Sequence, residues 1–421
     1  MKRFKPILWT VCGSTLFSLL AIVYLLTFHG ESPKAQRFMR RVPAAEIFIP
    51  KLLRTEIAAA LGRQRISSNH LKLDSFPLEV KGQSYEVKFT LDRDLQERIE
   101  DIYDRYSPAY AAFVAMDPDT GRILAMADYS AESNTDNLAL RASYPTASVF
   151  KVVTSAAALD EKKIEPRTIM PVNGSYGTLY RRNLRDVVTR WTRYISIEEA
   201  FAKSVNTVFA KIAMKNVGPQ ALQKYANAFG FNQKIDFDMQ LDSGSAIIPD
   251  DSFGLAESGS GYTRRQTMSP IQGAMIASAV INGGTLPAPY LVQEVRNKGG
   301  VKVFESKEMM LGHAIDQSTA HTLSMIMEHT ITQGTARKEY RDYNHHPVLS
   351  KLFIGAKTGT LNGDSPSGKY DWFVGFAQSS SNPKKKIAFA SMIVNRSYWK
   401  VKASHVAREA ILQYFADRHE L

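Results

Sequence analysis

The sequence predicts an α+β protein in which helices and an antiparallel sheet form one large domain behind an N-terminal membrane anchor. Near the C-terminus, the runs KLFIGAKTGT, DWFVGFA and KIAFASMIV are rich in β-branched and aromatic residues. Polar segments separate them, the first being LNGDSPSGKY, which we predict to be a loop. This arrangement is typical of consecutive antiparallel strands. Upstream, SVFKVVTSAAALD and SIEEAFAKSVNTVFAKIA repeat apolar residues at helical spacing. Residues 7–28 carry no charge and are long enough to span a bilayer.

The chain divides into three predicted parts. Residues 1–30 form the anchor, which we expect to stay uncleaved because nothing like Ala-x-Ala follows closely. Residues 31–87 form a short linker or pedestal, with one short helix in PAAEIFIPKLLRTEIAAALG and a hairpin around Lys81 and Gly82. Residues 88–421 form the main domain. It opens with the helix FTLDRDLQERIEDIYDRY, in which Leu95, Ile99 and Ile102 make one apolar stripe.

Composition limits the possible classes of protein. With 421 residues and 44% hydrophobic content, the chain can build a sizeable core. A formal charge of +12 would suit nucleic acid, but no zinc spacing, RNP-type motif or arginine-rich arm accompanies it. Anionic wall polymers or lipid headgroups are adequate partners instead. The only cysteine is Cys12, so no intrachain disulfide can form, and the histidines show no spacing typical of metal ligands.

The first chemical motif is Ser-x-x-Lys, which occurs at Ser148, Ser381 and Ser397. Ser381 precedes a proline and a lysine cluster, which indicates a solvated turn, and Ser397 has no adjacent apolar helix. Ser148 instead begins a predicted helix, on which Lys151 projects toward its hydroxyl. A neutral lysine could take the proton of this serine nucleophile. The lysine pKa must then be lowered by burial or by a second cation, for which Lys357 is the candidate.

The second motif is Ser204-Val-Asn206. Ser196 and Glu199 form a capping-box start of the helix that contains it, and apolar spacing puts Ser204 on the buried face. A hydroxyl and an amide there could relay a proton and hold a substrate amide. The alternative is a satisfied polar pair at a helix terminus.

The third motif is Lys357-Thr358-Gly359-Thr360, at the end of a predicted strand. Gly359 removes a side chain where another backbone could approach. Such a strand could pair with an extended peptide through its main chain, while Lys357 and the threonine hydroxyls meet a carboxylate. The alternative is an ordinary hairpin strand with a surface lysine.

With these three motifs in this order, the chain resembles the transpeptidase domain of penicillin-binding proteins, the penicillin-recognising serine acyl transferases. The resemblance covers roughly residues 88–418 and includes AAFVAMDPDTGRILAMADYS, MSPIQGAMIASAVINGGTLPAPYLV and ITQGTAR. Because residues 31–85 are too short for a glycosyltransferase domain, the chain is similar to the monofunctional, class B members. It departs from the family at SGSGYT, where Tyr262 stands at about the place of a glutamine in many relatives.

The resemblance implies a β-lactamase-like fold, with an antiparallel sheet of about five strands flanked by helices on both faces. It also implies two sets of site residues. The catalytic set is Ser148, Lys151, Ser204 and Lys357, and the substrate-binding set is Asn206, Thr358, Gly359 and Thr360.

The activity implied by the resemblance is peptidoglycan D,D-transpeptidation, with no metal or cofactor. Ser148 would be the nucleophile, Lys151 its base, and Ser204 a shuttle carrying the proton to the leaving amine. Asn206 would bind the donor peptide's amide, Lys357 would supply positive charge, and the two threonines would hold the terminal carboxylate. Backbone N–H groups of Ser148 and of the last motif threonine would form the oxyanion hole.

The implied partners are peptidoglycan stem peptides, β-lactams, membrane lipid and a cell-wall synthesis protein such as a glycosyltransferase. Nucleic acid is not among them. The implied location is the bacterial inner membrane, with a single span and the main domain on the periplasmic side. Two alternatives stay open. In a D,D-carboxypeptidase or β-lactamase, water takes the acyl group, and in a β-lactam sensor or wall-assembly scaffold the site binds without turnover.

Overall fold

The computed structural model describes residues 51–64, 71, 75–132 and 137–416. The predicted anchor at residues 7–28 therefore lies outside the described residues, as does the first part of the predicted linker. Within the described ranges, no helix is both long enough and apolar enough to cross a membrane.

Helices and strands are interspersed along the described chain. The helices are α1 Arg54–Arg63, α2 Arg93–Tyr106, α3 Lys151–Asp160, α4 Ile197–Ala202, α5 Asn206–Ile212, α6 Pro219–Ala228, α7 Ser252–Ser260, α8 Pro270–Ile281, α9 Gln317–Thr332 and α10 Ala403–Tyr414. The strands are β1 Phe76–Val80, β2 Gln83–Phe89, β3 Tyr110–Met116, β4 Ile123–Ser130, β5 Tyr144–Pro145, β6 Ile169–Val172, β7 Arg193–Ser196, β8 Thr267–Met268, β9 Thr285–Pro287, β10 Val292–Asn297, β11 Lys302–Glu305, β12 Met310–His313, β13 Leu352–Asp364, β14 Ser367–Ser379 and β15 Lys386–Asn395.

The central sheet has five antiparallel strands in the order β13-β14-β15-β3-β4. One face packs against α2 and α10 in a core that includes Leu95, Phe389 and Val406. The other face carries α8, so closely that a Cβ on Gly273 would lie 2.9 Å from that of Ala390. The predicted sheet of about five strands with helices on both faces is therefore observed, and β13 is its edge strand.

The β13–β14 hairpin is longer than the sequence suggested. Pairing runs from Leu352 opposite Ser379 to Asp364 opposite Ser367, so the prediction of LNGDSPSGKY as a loop was wrong. The cause is packing, because the ring of Tyr370 is fully buried and lies over Gly363, where a Cβ would come within 2.4 Å of it. This packing of Tyr370 on Gly363 holds the polar residues in strand conformation almost to the turn.

A second antiparallel sheet has the order β1-β2-β10-β11. The predicted hairpin is confirmed, since Lys81 and Gly82 form its turn with φ of 52° and 76°, as a type I′ turn requires. The helices predicted in 43–62 and 89–106 appear as α1 and α2. Strand β2 also pairs with β10 from the main domain, and the predicted boundary at residues 87/88 falls within it.

Candidate active site

Ser148 lies in a 3-10 turn, Ala147–Phe150, that leads into α3. The α-helix was predicted to begin at Ser148, but it begins at Lys151, one turn later. The backbone of this turn is tightly held. Ala147 has a left-handed φ of 48°, and a Cβ on Gly261 would lie 1.9 Å from its carbonyl oxygen. Just upstream, the Trp372 indole donates to the Pro145 carbonyl at 2.9 Å. A strained non-glycine residue beside a candidate nucleophile is typical of a functional site.

Lys151 is fully buried, and its Nζ has three oxygen neighbours. These are Ser148 Oγ at 2.7 Å, Asn206 Oδ1 at 2.7 Å and the Ser260 carbonyl at 2.6 Å. The predicted contact between Ser148 and Lys151 is therefore confirmed. The amide oxygen and the carbonyl can only accept, so the two N–H groups of a neutral amine would satisfy them both. Its lone pair would then face the Ser148 hydroxyl, which is the arrangement a general base needs.

Two lysines at this site are buried, and both have a lowered pKa. Burial, and then the charge of Lys357, hold the pKa of Lys151 well below its ordinary value. Burial lowers the pKa of Lys357 itself to about 7. Lys357 donates to the Thr358 carbonyl at 2.9 Å, and its Nζ lies 5.5 Å from the centre of the Phe201 ring. The second cation inferred from the sequence thus acts in the expected direction, as a subsidiary cause behind burial.

Ser204 is not on a helix, which corrects the prediction of one continuous helix through SIEEAFAKSVNTVFAKIA. Helix α4 begins at the predicted cap, where the Glu199 N–H donates to Ser196 Oγ at 3.2 Å, but it ends at Ala202. The Ser204 N–H then donates to the Phe201 carbonyl, and the following N–H donates to the carbonyl at position 200. This is a Schellman ending, with Ser204 at φ 55° in the place that glycine usually takes.

The break leaves Ser204 half-buried, with no side-chain hydrogen bond to another described residue. The chain then re-enters helix at Asn206, the first residue of α5. The Asn206 backbone N–H donates to the Tyr176 carbonyl and its side-chain Nδ2 donates to the Gly177 carbonyl, both at 2.9 Å. These two bonds fix the amide so that Oδ1 faces Lys151.

The Lys-Thr-Gly-Thr segment lies in edge strand β13, against the turn that holds the serine. A Cβ on Gly359 would lie 3.1 Å from Val149 Cγ2, so glycine permits the close approach that the sequence suggested. Register puts Thr358 opposite Phe373 and Lys357 opposite Val374, so the two side chains point to opposite faces. The Thr358 hydroxyl meets that of Thr335 at 2.6 Å.

Thr360 is exposed and lies opposite Asp371 in the β13–β14 ladder. Among the described residues, β13 pairs with another strand on one side only, so backbone N–H and C=O groups on its other side can pair with another chain. The structure therefore brings together Ser148, Lys151 and Asn206 by direct hydrogen bonds. The motif residues of β13 line the adjoining edge.

Two contributors to the site, Ser260 and Thr335, lie outside the three motifs. Ser260 acts through its backbone carbonyl, which no side-chain motif reveals, although it lies in the SGSGYT run that drew attention to Tyr262. Thr335 belongs to ITQGTAR, whose contact with β13 could not be read from spacing. Ser381, rejected as a nucleophile, lies in the turn between β14 and β15. Among the described residues, no cluster of His, Cys, Asp or Glu could hold a metal ion.

The family model for the penicillin binding protein transpeptidase domain matches residues 111–413. The chain belongs to this family. It is 26% identical over 341 residues to Stage V sporulation protein D of Bacillus subtilis, covering 73% of this chain and 51% of that protein. It is 27% identical over 319 residues to peptidoglycan D,D-transpeptidase PbpA of Mycolicibacterium smegmatis, covering 67% and 61% respectively. The chain thus spans between half and two thirds of the length of these two relatives.

Solved members of the penicillin-binding family share the fold. The ceftriaxone acyl-enzyme complex of penicillin-binding protein A from M. tuberculosis superposes with a TM-score of 0.63 at 24% identity. The match covers 79% of this chain and 80% of that one. The mixed helix and antiparallel-sheet architecture described above is therefore the fold of this family.

Proposed function

We propose that the chain is a peptidoglycan D,D-transpeptidase that cross-links stem peptides through an acyl-enzyme on Ser148 and is inhibited covalently by β-lactams. The observation that carries the proposal is the environment of the Lys151 amine. It is buried, has a lowered pKa and lies 2.7 Å from Ser148 Oγ. Two pure acceptors occupy its N–H groups, so its lone pair is directed at the serine proton.

Acylation would begin with attack of Ser148 Oγ on the carbonyl carbon of the penultimate D-Ala, as its proton moves to Lys151 Nζ. The oxyanion would be bound by backbone N–H groups of Ser148 and Thr360, in support of which Thr360 lies on an edge strand. Lys357 supplies positive charge near the reacting centre, and the hydroxyls of Thr358 and Thr360 would bind the substrate carboxylate.

Departure of the terminal D-Ala requires a proton on its nitrogen as the C–N bond breaks. Ser204 would relay that proton from Lys151, and its hydroxyl is free to do so because it has no other hydrogen-bond partner among the described residues. Asn206 would hold the donor's amide. The amine of a neighbouring stem peptide would then attack the ester, give up its proton along the reverse route and release Ser148.

Transfer is favoured over hydrolysis by the polar groups around the serine. The hydrogen bonds of Ser148, Lys151 and Asn206 within the described residues involve an amide, hydroxyls and carbonyls, and no carboxylate. A carboxylate positioned to activate water is what rapid deacylation of a β-lactam adduct needs. The β-lactam acyl-enzyme should therefore persist for minutes, whereas an amine can capture a peptide acyl group.

We assign the catalytic domain to residues 88–421 and propose residues 31–87 as a linker that contributes β1 and β2 to its second sheet. Residues 1–30 would be a single membrane anchor, on the strength of their uncharged run. The substrate then places the catalytic domain on the periplasmic side of the inner membrane. A cell-wall glycosyltransferase is the kind of partner that would supply the glycan strands.

The test is mass spectrometry of the purified protein with labelled penicillin, followed by a D-Ala-D-Ala stem peptide and an amine acceptor. We expect one adduct on Ser148 that survives for minutes, and a cross-linked peptide dimer. Ser148→Ala should abolish both, and the matched control Ser381→Ala should change neither.

Four results would contradict the proposal. An adduct on Ser381 or Ser397 would refute the choice of nucleophile. Loss of the adduct within seconds, with free penicilloate accumulating, would favour a β-lactamase. A stable adduct with hydrolysed peptide and no dimer would favour a carboxypeptidase, and one with no peptide turnover would favour a sensor.

A further inference from the structure

The hairpin formed by β6 and β7, residues 169–196, has an unusual surface. Six of its large apolar side chains face solvent, although others such as Leu179, Leu184 and Ile195 are buried, and Trp191 is 74% exposed. The exposed set is Ile169, Tyr180, Val187, Val188, Trp191 and Tyr194. A contiguous chain segment with this many exposed apolar groups marks a binding surface more often than a plain solvated loop.

The same hairpin is strongly basic. Its exposed arginines are Arg181, Arg182, Arg185, Arg190 and Arg193, and its only acidic residue is Asp186, which is bonded to Lys215. Among the described residues, no carboxylate lies within ion-pair distance of any of these arginines. The guanidinium of Arg190 lies 4.8 Å from the centre of the Trp191 ring. Arginines stacked on aromatic rings and open to solvent can still bind an anion.

The hairpin is anchored to the candidate active site. Its turn at residues 174–177 supplies the carbonyls of Tyr176 and Gly177 that hold Asn206. Arg193 donates to the Gly174 carbonyl at 2.6 Å and stacks on the Tyr176 ring at 4.2 Å, which ties β7 to this turn. The exposed basic and aromatic residues therefore belong to the same hairpin whose backbone carbonyls hold Asn206 in the candidate active site.

We propose that the exposed face of the β6–β7 hairpin binds the carboxylate-bearing glycan–peptide strand to which the reacting stem peptide is attached. This inference rests on the proposed function. A stem peptide that has acylated Ser148 stays joined to its glycan strand. That strand must leave the site along one of the walls of the site. Carboxylates of neighbouring stems would pair with the arginines, and the flat faces of sugar rings would stack on Trp191 and Tyr194.

The experiment measures binding of fluorescently labelled, soluble, uncross-linked glycan strands with stem pentapeptides to the full chain in detergent. Ser148→Ala is used as the background to prevent turnover. We expect Arg182→Gln/Arg190→Gln/Trp191→Ala to raise Kd by about tenfold or more and to reduce its salt dependence. The matched control is Arg105→Gln/Arg122→Gln/Tyr398→Ala, which removes two exposed arginines and an exposed aromatic ring outside the hairpin and should leave Kd within about twofold.

Acylation by labelled penicillin, with Ser148 intact, separates this inference from the proposed function. If the unaltered chain is not acylated, the proposed function fails. If it is acylated while the hairpin variant binds strands as tightly as its parent, only the hairpin inference is overturned. Hairpin-dependent binding to phosphatidylglycerol vesicles without binding to strands would also overturn it, in favour of a lipid surface.

Two single substitutions at Arg190 test the inference even if the triple variant does not fold. Arg190→Glu reverses one exposed charge and Arg190→Lys keeps it. We expect weaker strand binding for Arg190→Glu than for Arg190→Lys, at equal unfolding temperature. Equal affinities for the two would contradict an electrostatic role of the hairpin.

Discussion

Replacing Asn206 by Asp exchanges the side-chain NH2 group for an oxygen and should disable the proposed base, Lys151. Asn206 Oδ1 lies 2.7 Å from Lys151 Nζ, in a site from which water is largely excluded. A carboxylate there would favour the protonated lysine, and an opposite charge at such a distance typically raises a lysine pKa by about 1–3 units. Each unit reduces the neutral fraction tenfold on the ascending side of the pH profile. Acylation by penicillin should therefore slow by about 10- to 1,000-fold there.

The structure also sets the shape of the effect. Because Asn206→Asp lowers the fraction of Lys151 that is neutral, raising the pH should restore acylation. The ascending limb of the pH profile should move to higher pH by about 1–3 units. In Asn206→Ala the amide is lost without a new charge, so acylation should fall by a similar factor at every pH. Stopped-flow acylation across pH gives both profiles.

Stability provides an independent check on Asn206→Asp. Nδ2 of the amide donates to the Gly177 carbonyl at 2.9 Å, and a carboxylate oxygen there would oppose another acceptor. Losing that bond should cost about 1–3 kcal/mol of unfolding free energy. Refutation would be an ascending limb at the same pH in the Asp and Ala variants, since that would mean that the proton on Lys151 does not control acylation.

Three further predictions concern the buried charges. Lys151→Arg should slow penicillin acylation by about two orders of magnitude or more, because guanidinium has no accessible neutral state, and near-normal acylation in the folded variant would show another base. Lys357→Met removes the cation beside Lys151, so the ascending limb of acylation should move to higher pH, and an unmoved limb would contradict the coupling. Asp371 accepts from the Ala403 N–H at the start of α10, and burial raises its pKa to about 7. Because the folded state then holds a proton that the unfolded state releases, stability should fall between about pH 4 and 7 by an amount on the order of 4 kcal/mol, and Asp371→Asn should flatten that fall in denaturant titrations.

Local features of the sequence predicted the local chemistry well. The spacing of Ser148 and Lys151 fixes their approach on any helical turn, whether 3-10 or α, and so the contact survived a wrong helix start. The cap at Ser196 and the turn at Lys81 depend on neighbouring residues only, and both were found. Runs of β-branched residues likewise identified β13, β14 and β15.

Features that depend on distant partners escaped prediction. The break at Ser204 places a serine where glycine is usual, and no local signal predicts it. The helix that follows begins where the Asn206 N–H finds the Tyr176 carbonyl, which belongs to a separate hairpin. Pairing of β15 with β3, and of β2 with β10, joins segments far apart in sequence, so periodicity could not reveal it.

Burial of two amines lowers their pKa values, which the proposed mechanism needs, and the same burial makes the fold less stable. The pKa of Lys357 is lowered to about 7, so between about pH 7 and 10 the unfolded chain binds a proton that the folded chain has released, and stability rises with pH in that window. Below it, folding must desolvate the ammonium, a penalty that is then fully present. A methionine at position 357 would escape this penalty but would also remove the charge that, in addition to burial, lowers the pKa of Lys151. Selection for acyl transfer would therefore retain a lysine that selection for stability alone would replace.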